Sequence, residues 1–507
     1  MDDLLKELYV RYGNFLYTGK PIRSIQTALR IYKEGAKDIR ELEEKIKKYE
    51  IKDFKQKMNG EYSELVEEMK FTQPCSFSMQ MIYIWLVLDS MDEEFFNVIN
   101  IEKLRLYQIV QSITFYLLFL QTDAFSDIRL SQNARKFIFG REDFYIGLTE
   151  AKKVCWSISE EDFYKFQNLF AFDINKNDVE ELNEVQLFLE GESVFLLWIN
   201  DFLEYILLDI EKKYLNWSKS EKYSNDKGFG FERMVYGFTS QFFENIKCNV
   251  FYHEKNKKSE LDIIIEDGKY LIIVECKSGT IDLGNASSNK EIKIKVNNKL
   301  KKAYKTLDRI ANYIDKNDII EFVDKNNMIL FKAQKKDYEI IYLHLSMYSM
   351  DSIASSIHIL NDKYFVSTEI PKLTLSFEHF LAICIDCFEK KTSIGKYLVN
   401  RRDLLVKYPE MKFDNNELDL YYQLTNRSML QDFIKDQLFD NFNNDIRFTS
   451  TFKDSQGKDT RPASTLLRQM ENRLFSMIID LGKRSFGLNK RYINYMNQYL
   501  RKEKNNY

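Results

Sequence analysis

Proline is scarce in this chain of 507 residues, with five in all and none between Pro74 and Pro371. That gap leaves room for long helices that no missing amide interrupts. Glycine is sparse as well, at 17. Neither charge dominates: the formal net charge is -3. No global basic field advertises nucleic-acid binding, so a site for such a partner must be a local patch. The six cysteines, at 75, 155, 248, 276, 384 and 387, are scattered. Cys384 and Cys387 form a lone C-x-x-C inside a helical run, and zinc sites need four ligands, so core packing is the expectation for them. The four histidines share no metal-site spacing. No apolar run reads as a membrane span, and the strongest, Val194 to Ile210, is broken by Asn200, Asp201 and Glu204. The start, Met1-Asp2-Asp3-Leu4, lacks the basic then apolar order of a secretory signal, which leads to an expectation of a cytoplasmic protein with no membrane partner.

What the chain does have is bulk. Hydrophobic residues make up 44% and aromatics 15%, with 39 Phe and 31 Tyr. Such a chain buries large cores, and its length calls for two or three of them. Residues 1–222 read as all-α, with charges and apolar residues at three- and four-residue spacing in Ile39–Ile46 and richer apolar segments at Met81–Met91 and Ile113–Leu120. No motif in this stretch carries chemistry. Small and polar residues cluster in Ser218–Gly230, as in a linker. After it the pattern changes to helix, strands, helix and strand up to residue 372. From Leu373 onward it reads as helical again, apart from a loop at Phe448–Pro462 and a charged tail, Arg501–Lys504. The expected organisation is a helical domain of unknown role at 1–222, an α/β domain at 223–372 and a helical C-terminal region at 373–507.

The informative stretch runs from Glu260 to Ser278. β-branched residues dominate both halves, and Asp267-Gly268 divides them, a strong hairpin signal. With that pair as the turn, Asp262 lies opposite Ile273 and diagonal to Glu275, with Cα atoms about 7–8 Å apart. Alternation then puts Asp262, Glu275 and Lys277 on one face. Carboxylates so placed can share one divalent cation. Charges at the end of near-continuous apolar strands are costly unless paired or bound to metal. A structural salt bridge between Glu275 and Lys277 is the plainer explanation for the same residues.

The pattern Asp262…Glu275-Cys276-Lys277 resembles the PD-(D/E)XK (restriction-endonuclease-like) nuclease superfamily. Leu261 stands where the family name has proline. Gly230-Phe231-Glu232-Arg233-Met234-Val235 supplies the glutamate that the family often carries on the preceding helix, with Phe231, Met234, Val235, Phe238 and Phe242 as the apolar stripe. The next helix is expected at Val296–Ile314 and a further strand at Tyr338–Ser346, giving the αβββαβ core of a mixed sheet flanked by helices. The resemblance covers roughly residues 228–348. It implies an Mg2+-dependent hydrolase of phosphodiester bonds, in which Mn2+ can substitute. Asp262, Glu275 and the carbonyl of Cys276 would be metal ligands. Lys277 would orient the attacking water or stabilise transition-state charge. Glu232 would either serve a second ion or be a solvated helix residue. DNA is favoured over RNA, in bacterial restriction or antiphage defence, with a second copy or a defence-system protein as partner.

Eight Lys or Arg in Ser288–Arg309 follow the catalytic strand, and Lys301, Lys302 and Lys305 are the expected phosphate contacts. The alternative for them is a solvated helix face. Arg401-Arg402 is an ion-pair partner for Asp403 or Glu410, or else a phosphate clamp. For the whole chain the rival functions are a nucleic-acid-binding or regulatory protein on an inactive nuclease scaffold, and a helical interaction scaffold.

Overall fold

The computed structural model describes residues 76–126, 138–140, 159–173, 187–190, 193–196, 202–218, 221–254, 257–279, 289–348, 371–407, 412–413, 417–425, 447–448, 466–467, 469–471 and 473–474. The helical run at 39–46 and the charged tail at 501–504 lie outside these residues, as does the loop at 448–462 beyond Phe448. Two compact units are present among the described residues, one of 77–218 with Leu474 and one of Ser76 with 221–473.

The first unit contains helices α1 (Phe77–Asp89), α2 (Glu93–Val98), α3 (Lys103–Ser126), α4 (Glu160–Phe170) and α5 (Phe202–Ser218). α1 is apolar almost all round and correspondingly buried, from Met79 to Leu88. Ser159 starts α4 with a capping box: its hydroxyl accepts from the Asp162 N–H at 3.1 Å, and Asp162 accepts from the Ser159 N–H at 3.2 Å. The all-helical expectation fails here. Strands β1 (Ile138–Gly140), β2 (Phe172–Asp173), β3 (Leu187–Glu190) and β4 (Ser193–Leu196) form a small sheet in the order β1-β4-β3-β2. Each is only two to four residues long, too short for a period of two to stand out from its surroundings.

The second unit is α/β. It opens with α6 (Glu221–Thr239), followed by β5 (Asn245–Glu254), β6 (Lys257–Asp267) and β7 (Tyr270–Lys277). Next come α7 (Asn289–Lys316), β8 (Ile319–Val323), β9 (Ile329–Gln334) and β10 (Glu339–Ser346). β11 (Lys372–Ser376), α8 (Phe377–Lys390), α9 (Ile394–Lys407), β12 (Lys412–Phe413), α10 (Glu417–Thr425) and β13 (Arg447–Phe448) complete it. The seven-stranded sheet has the order β11-β10-β7-β6-β5-β8-β9. β5, β6 and β7 form an antiparallel meander, and β7, β10 and β11 run parallel, so the sheet is mixed. α7 covers one face through Leu300, Ala303, Leu307, Ile310 and Ile314, against Ile264, Leu271 and Ile273. Ile263, Ile265, Ile272 and Val274 alternate with these and are fully buried too, so the meander is covered on both faces.

Three local expectations change. The Ser218–Gly230 stretch is not a linker, because α6 starts at Glu221 and runs through Gly228 and Gly230. Tyr223, Lys227 and Phe231, four residues apart, are all buried, and that stripe outweighs the poor helix propensity of glycine. A β8–β9 hairpin intervenes between α7 and β10, so the αβββαβ order carries an insertion. Residue 373 begins no helix: β11 pairs Leu373 with Leu343 of β10, and the helix starts at Phe377 behind the Ser376 cap.

The turn of the β6–β7 hairpin also sits one residue later than Asp267-Gly268. Asp267 pairs with Tyr270, leaving Gly268-Lys269 as the loop, and Gly268 has φ 64°, as the first turn position of a type II′ hairpin requires. The Asp267 carboxylate is used elsewhere. It accepts from Ser393 Oγ at 2.6 Å and from the Gly395 N–H at 2.9 Å, docking the hairpin on the start of α9. Gly395 lies against the Tyr270 side chain so closely that an added Cβ would overlap it, whereas Gly237 on α6 faces open space. Gly395→Ala should therefore destabilise by about 1–3 kcal/mol, and Gly237→Ala should stabilise by about 0.5–1 kcal/mol. Urea unfolding of both variants checks the pair; equal effects would mean the hairpin does not pack on α9 as described.

Candidate active site

The site residues are positioned by a break in the strand alternation. In the β5–β6 ladder, Cys248 pairs with Ile263 and Val250 with Leu261, and Asn249 and Asp262 between them are skipped. Asn249 is left-handed, with φ 51°. Leu261 and Ile264, three residues apart, both reach the α7 core, so the alternation shifts at Asp262. One step beyond the last β6–β7 pair, Ile263 with Val274, the register brings Asp262 level with Glu275. The diagonal relation expected from an Asp267-Gly268 turn thus becomes a direct one. The register moved by an even number, and despite the shifted alternation Asp262 lines the same cavity as Glu275.

Asp262 and Glu275 line one cavity of about 320 Å³, together with Lys258, Ser259, Glu260, Thr306 and Arg309. Asp262 Oδ2 accepts from the Cys276 N–H at 2.7 Å. Lys277 Nζ donates to Glu275 Oε1 at 2.5 Å; the lysine side chain is 36% exposed and the glutamate side chain 5%. Cys276 contributes its amide, and its thiol is buried and free. Glu232, half-buried on α6, lies within electrostatic range of Asp262, Lys277, Glu260 and Glu275. The structure therefore gathers Glu232, Asp262, Glu275 and Lys277 electrostatically, with Asp262 and Glu275 in one cavity.

Protonation follows from the crowding. Burial, then the Asp262 charge, pushes Glu275 up to about 7, against the lowering pull of Lys277 and the Thr306 hydroxyl. Burial, then Asp262, pushes Glu232 up to about 8. Burial also raises Asp262, although Lys277 and the Cys276 N–H pull the other way. For Lys277, burial acts downward, but Glu275 and Asp262 outweigh it and the ammonium is held above its usual range. The lysine is a cation at neutral pH.

Sequence reasoning missed two neighbours. His344 on β10 pairs directly with Glu275 on β7 and with Thr374 on β11. Its Nδ1 is 3.3 Å from Thr374 Oγ1, which also bonds the Tyr304 hydroxyl at 2.8 Å. Burial and then the Lys277 charge hold His344 down to about 3, so the ring is neutral. Its Nε2 has no hydrogen-bond partner among the described residues. The second neighbour is Arg309, which sits in the cavity wall. Only strand register reveals His344; Arg309 was visible as the end of the basic stripe.

Lys301, Lys302 and Lys305 are exposed on α7. The side chains of Lys290, Lys293, Lys295 and Lys299 lie outside the described residues. Arg401 is buried on Glu417 at 3.0 Å, and Arg402 bonds Glu339 at 2.8 Å and Asp403 at 2.9 Å, so both act as ion-pair partners. Cys384 and Cys387 are buried, free core residues of α8. His253 lies away at the β8–β9 turn, 3.3 Å from Asn327 Oδ1.

The donor set suits a hard cation. Mg2+ usually takes one or two carboxylates and keeps several waters, and Asp262 and Glu275 supply two carboxylates in one cavity. No cage is preformed: among the described residues no group of three or more His, Cys, Asp or Glu is arranged to hold a metal ion. No helix of the described residues is long and apolar enough to cross a membrane.

The raised carboxylates fix a pH dependence. In the native state Glu275 keeps its proton to about 7, against an ordinary value of 4.5, so the folded chain binds more protons than the unfolded one in between. Its contribution to stability is fully present below about 4.5 and is lost as pH rises through 7. In chelator, the thermal midpoint of Glu275→Gln should gain on wild type steadily from pH 5 to pH 8. Parallel curves would show that Glu275 ionises freely.

No protein-family model matches the chain, and no curated protein does. Among solved structures, the chain is similar to the small subunit of the heterodimeric restriction endonuclease R.BspD6I. Identity is 14%, covering 45% of this chain and 98% of that one, with a TM-score of 0.19. The likeness is faint, and the chemistry of the site stands on its own geometry.

Proposed function

We propose that the α/β unit is a metal-dependent nuclease of the PD-(D/E)XK type, hydrolysing phosphodiester bonds of nucleic acid, with DNA the favoured substrate. The observation that carries this reading is the pair of carboxylates, half-buried Asp262 and buried Glu275, facing one cavity with the Lys277 ammonium on Glu275. Restriction or antiphage defence is the proposed setting, and a second copy or a defence-system protein the proposed partner.

Asp262 and Glu275 hold the cation in this reading, with the Cys276 carbonyl as a further ligand, and Mg2+ or Mn2+ serving. When bound, the cation supplies Lewis-acid charge to the phosphate. The Cys276 N–H fixes the rotamer of Asp262. Lys277, already protonated, acts as a positive charge and proton donor toward the phosphate oxygens rather than as a base. Glu232, which keeps its proton to about 8, is the group placed to exchange a proton with water near the carboxylates.

A second reading has an observation in its favour: the Lys277–Glu275 pair is formed as it stands, as a structural salt bridge would be. The two readings part on substitution. As a nuclease, Asp262→Ala and Glu275→Ala each abolish Mg2+-dependent cleavage, which also stops in excess EDTA. Lys277→Ala lowers cleavage by about 10²–10³-fold with the thermal midpoint near wild type. As a salt bridge, Lys277→Ala costs about 3–5 kcal/mol because a buried carboxylate is stranded. Rates on plasmid, linear duplex, single-stranded DNA and RNA, each paired with a midpoint, decide between them. Undiminished cutting in EDTA would sink the metal mechanism.

A further inference from the structure

We propose that Arg309 and Lys302 of α7 form the phosphate track that leads a nucleic-acid strand into the cavity of Asp262 and Glu275, with Thr306 setting the guanidinium. The proposal rests on the nuclease reading and narrows it to particular side chains.

A cavity walled by two or three carboxylates repels a polyanion unless a cation stands at its edge. Two cationic side chains line it, Lys258 and Arg309. Lys258 is already committed. Its Nζ donates to Asp324 O at 3.0 Å, Lys325 O at 2.8 Å and Asn327 Oδ1 at 2.8 Å, and an ammonium has three donors. It holds the β8–β9 turn and has nothing left for a phosphate.

Arg309 is different. Its Nη2 donates to Thr306 Oγ1 at 3.1 Å and its Nε reaches Lys305 O at 3.4 Å. Nη1 has no recorded partner among the described residues. Thr306 donates its own proton to Lys302 O at 3.2 Å and lines the cavity together with Glu275. Thr306 and Arg309 line the same cavity as Glu275, so the hydroxyl holds the guanidinium beside the carboxylates while its Nη1 edge stays available. That is the geometry in which arginine grips a phosphate.

Helical periodicity separates the exposed lysines that the sequence groups together. At about 100° per residue, Lys302 lies seven residues and about 20° from the Arg309 line, and about 10 Å along the axis. Lys305 is about 40° away on one side. Lys301 is about 80° away, off the ridge that faces the cavity. The strand approaches along Lys302 and enters at Arg309, with Lys305 alongside and Lys301 outside.

The test uses the full chain with Asp262→Asn, which keeps an acceptor for the Cys276 N–H and cannot be expected to cut. Fluorescence anisotropy in EDTA, across a salt series, follows single-stranded DNA, duplex DNA and RNA of one sequence. Arg309→Ala and Lys302→Ala, added singly, should each weaken binding roughly tenfold at low salt and flatten the log–log salt slope by about 0.7 on single strands or 0.9 on duplex. Lys301→Ala should leave the slope as it was. Arg309→Lys should keep the slope while losing affinity. An unchanged slope for Arg309→Ala, equal effects of Lys301→Ala and Lys302→Ala, or no binding by the parent would each overturn the track. Cleavage by the chain with Asp262 intact is scored separately. A chain that cuts but shows no Arg309 effect loses only the track; a chain that cuts nothing but keeps the Arg309 effect loses only the nuclease.

Discussion

Glu275 is 4% exposed and ends a strand whose two faces are both covered, so its charge has almost no water around it. Burying a lone carboxylate that way costs several kcal/mol. Three neighbours offset the cost: the Lys277 ammonium, the Thr306 hydroxyl and, near neutral pH, a proton. Asp262, beside it, adds to the cost of the charge and so favours the proton and the ammonium. A chain under pressure for stability alone would put apolar residues at these positions, because a hydrophobic replacement of a buried ion pair is often neutral or better. Two acids held against that gradient are what the proposed cation site would need.

The surrounding sheet is arranged to hold that strand end in place. β7, β10 and β11 run parallel and end together, so their carboxyl ends form one shelf. Glu275, His344 and Thr374 share a row across it, and Lys277, Ser346 and Ser376 share the next. Open sheets take ligands at the carboxyl ends of parallel strands, and the polar rows here lie at that end. Tyr304 reaches down from α7 to Thr374, which in turn orients the His344 ring. At the other end of the meander, Asp267 anchors the hairpin on α9, so strand register and helix position are set together.

The parts of this arrangement that could be read from sequence were the ones with a period. The shared face expected for Asp262, Glu275 and Lys277 rested on alternation, and despite a misplaced turn, an even shift in register, Asp262 still lines the same cavity as Glu275. The turn itself was misread because Asp267-Gly268 is a common hairpin pair, whereas here the Asp267 side chain is bound to Ser393 and Gly395, 126 and 128 residues away. No local pattern carries such a contact. Gly228 and Gly230 suggested a loop, and only the burial of Tyr223, Lys227 and Phe231 shows why the helix runs through them. β11 went unseen although Lys372–Ser376 alternates polar and apolar residues, because its five residues run directly into the apolar helix that starts at Phe377. The kink at Asn249 is likewise a matter of φ, not of composition.

The Lys277–Glu275 pair fits a salt bridge and an active site equally well by distance alone. The two members differ in their burial. The lysine side chain is 36% exposed and the glutamate 5%. Arg401 and Glu417, by contrast, are both 2% exposed, so neither can leave the other without stranding a buried charge. Lys277 instead keeps access to water. It can leave Glu275 without stranding its own charge, since its ammonium moves toward solvent rather than into the core. What it leaves behind is a buried carboxylate with one cationic partner fewer, and the neighbouring Asp262 raises the affinity of that spot for any positive charge. A proton fills it at low pH, and in the proposed nuclease a divalent cation meeting both carboxylates would take its place at higher pH. The same residues that make the empty pair look structural therefore make it exchangeable.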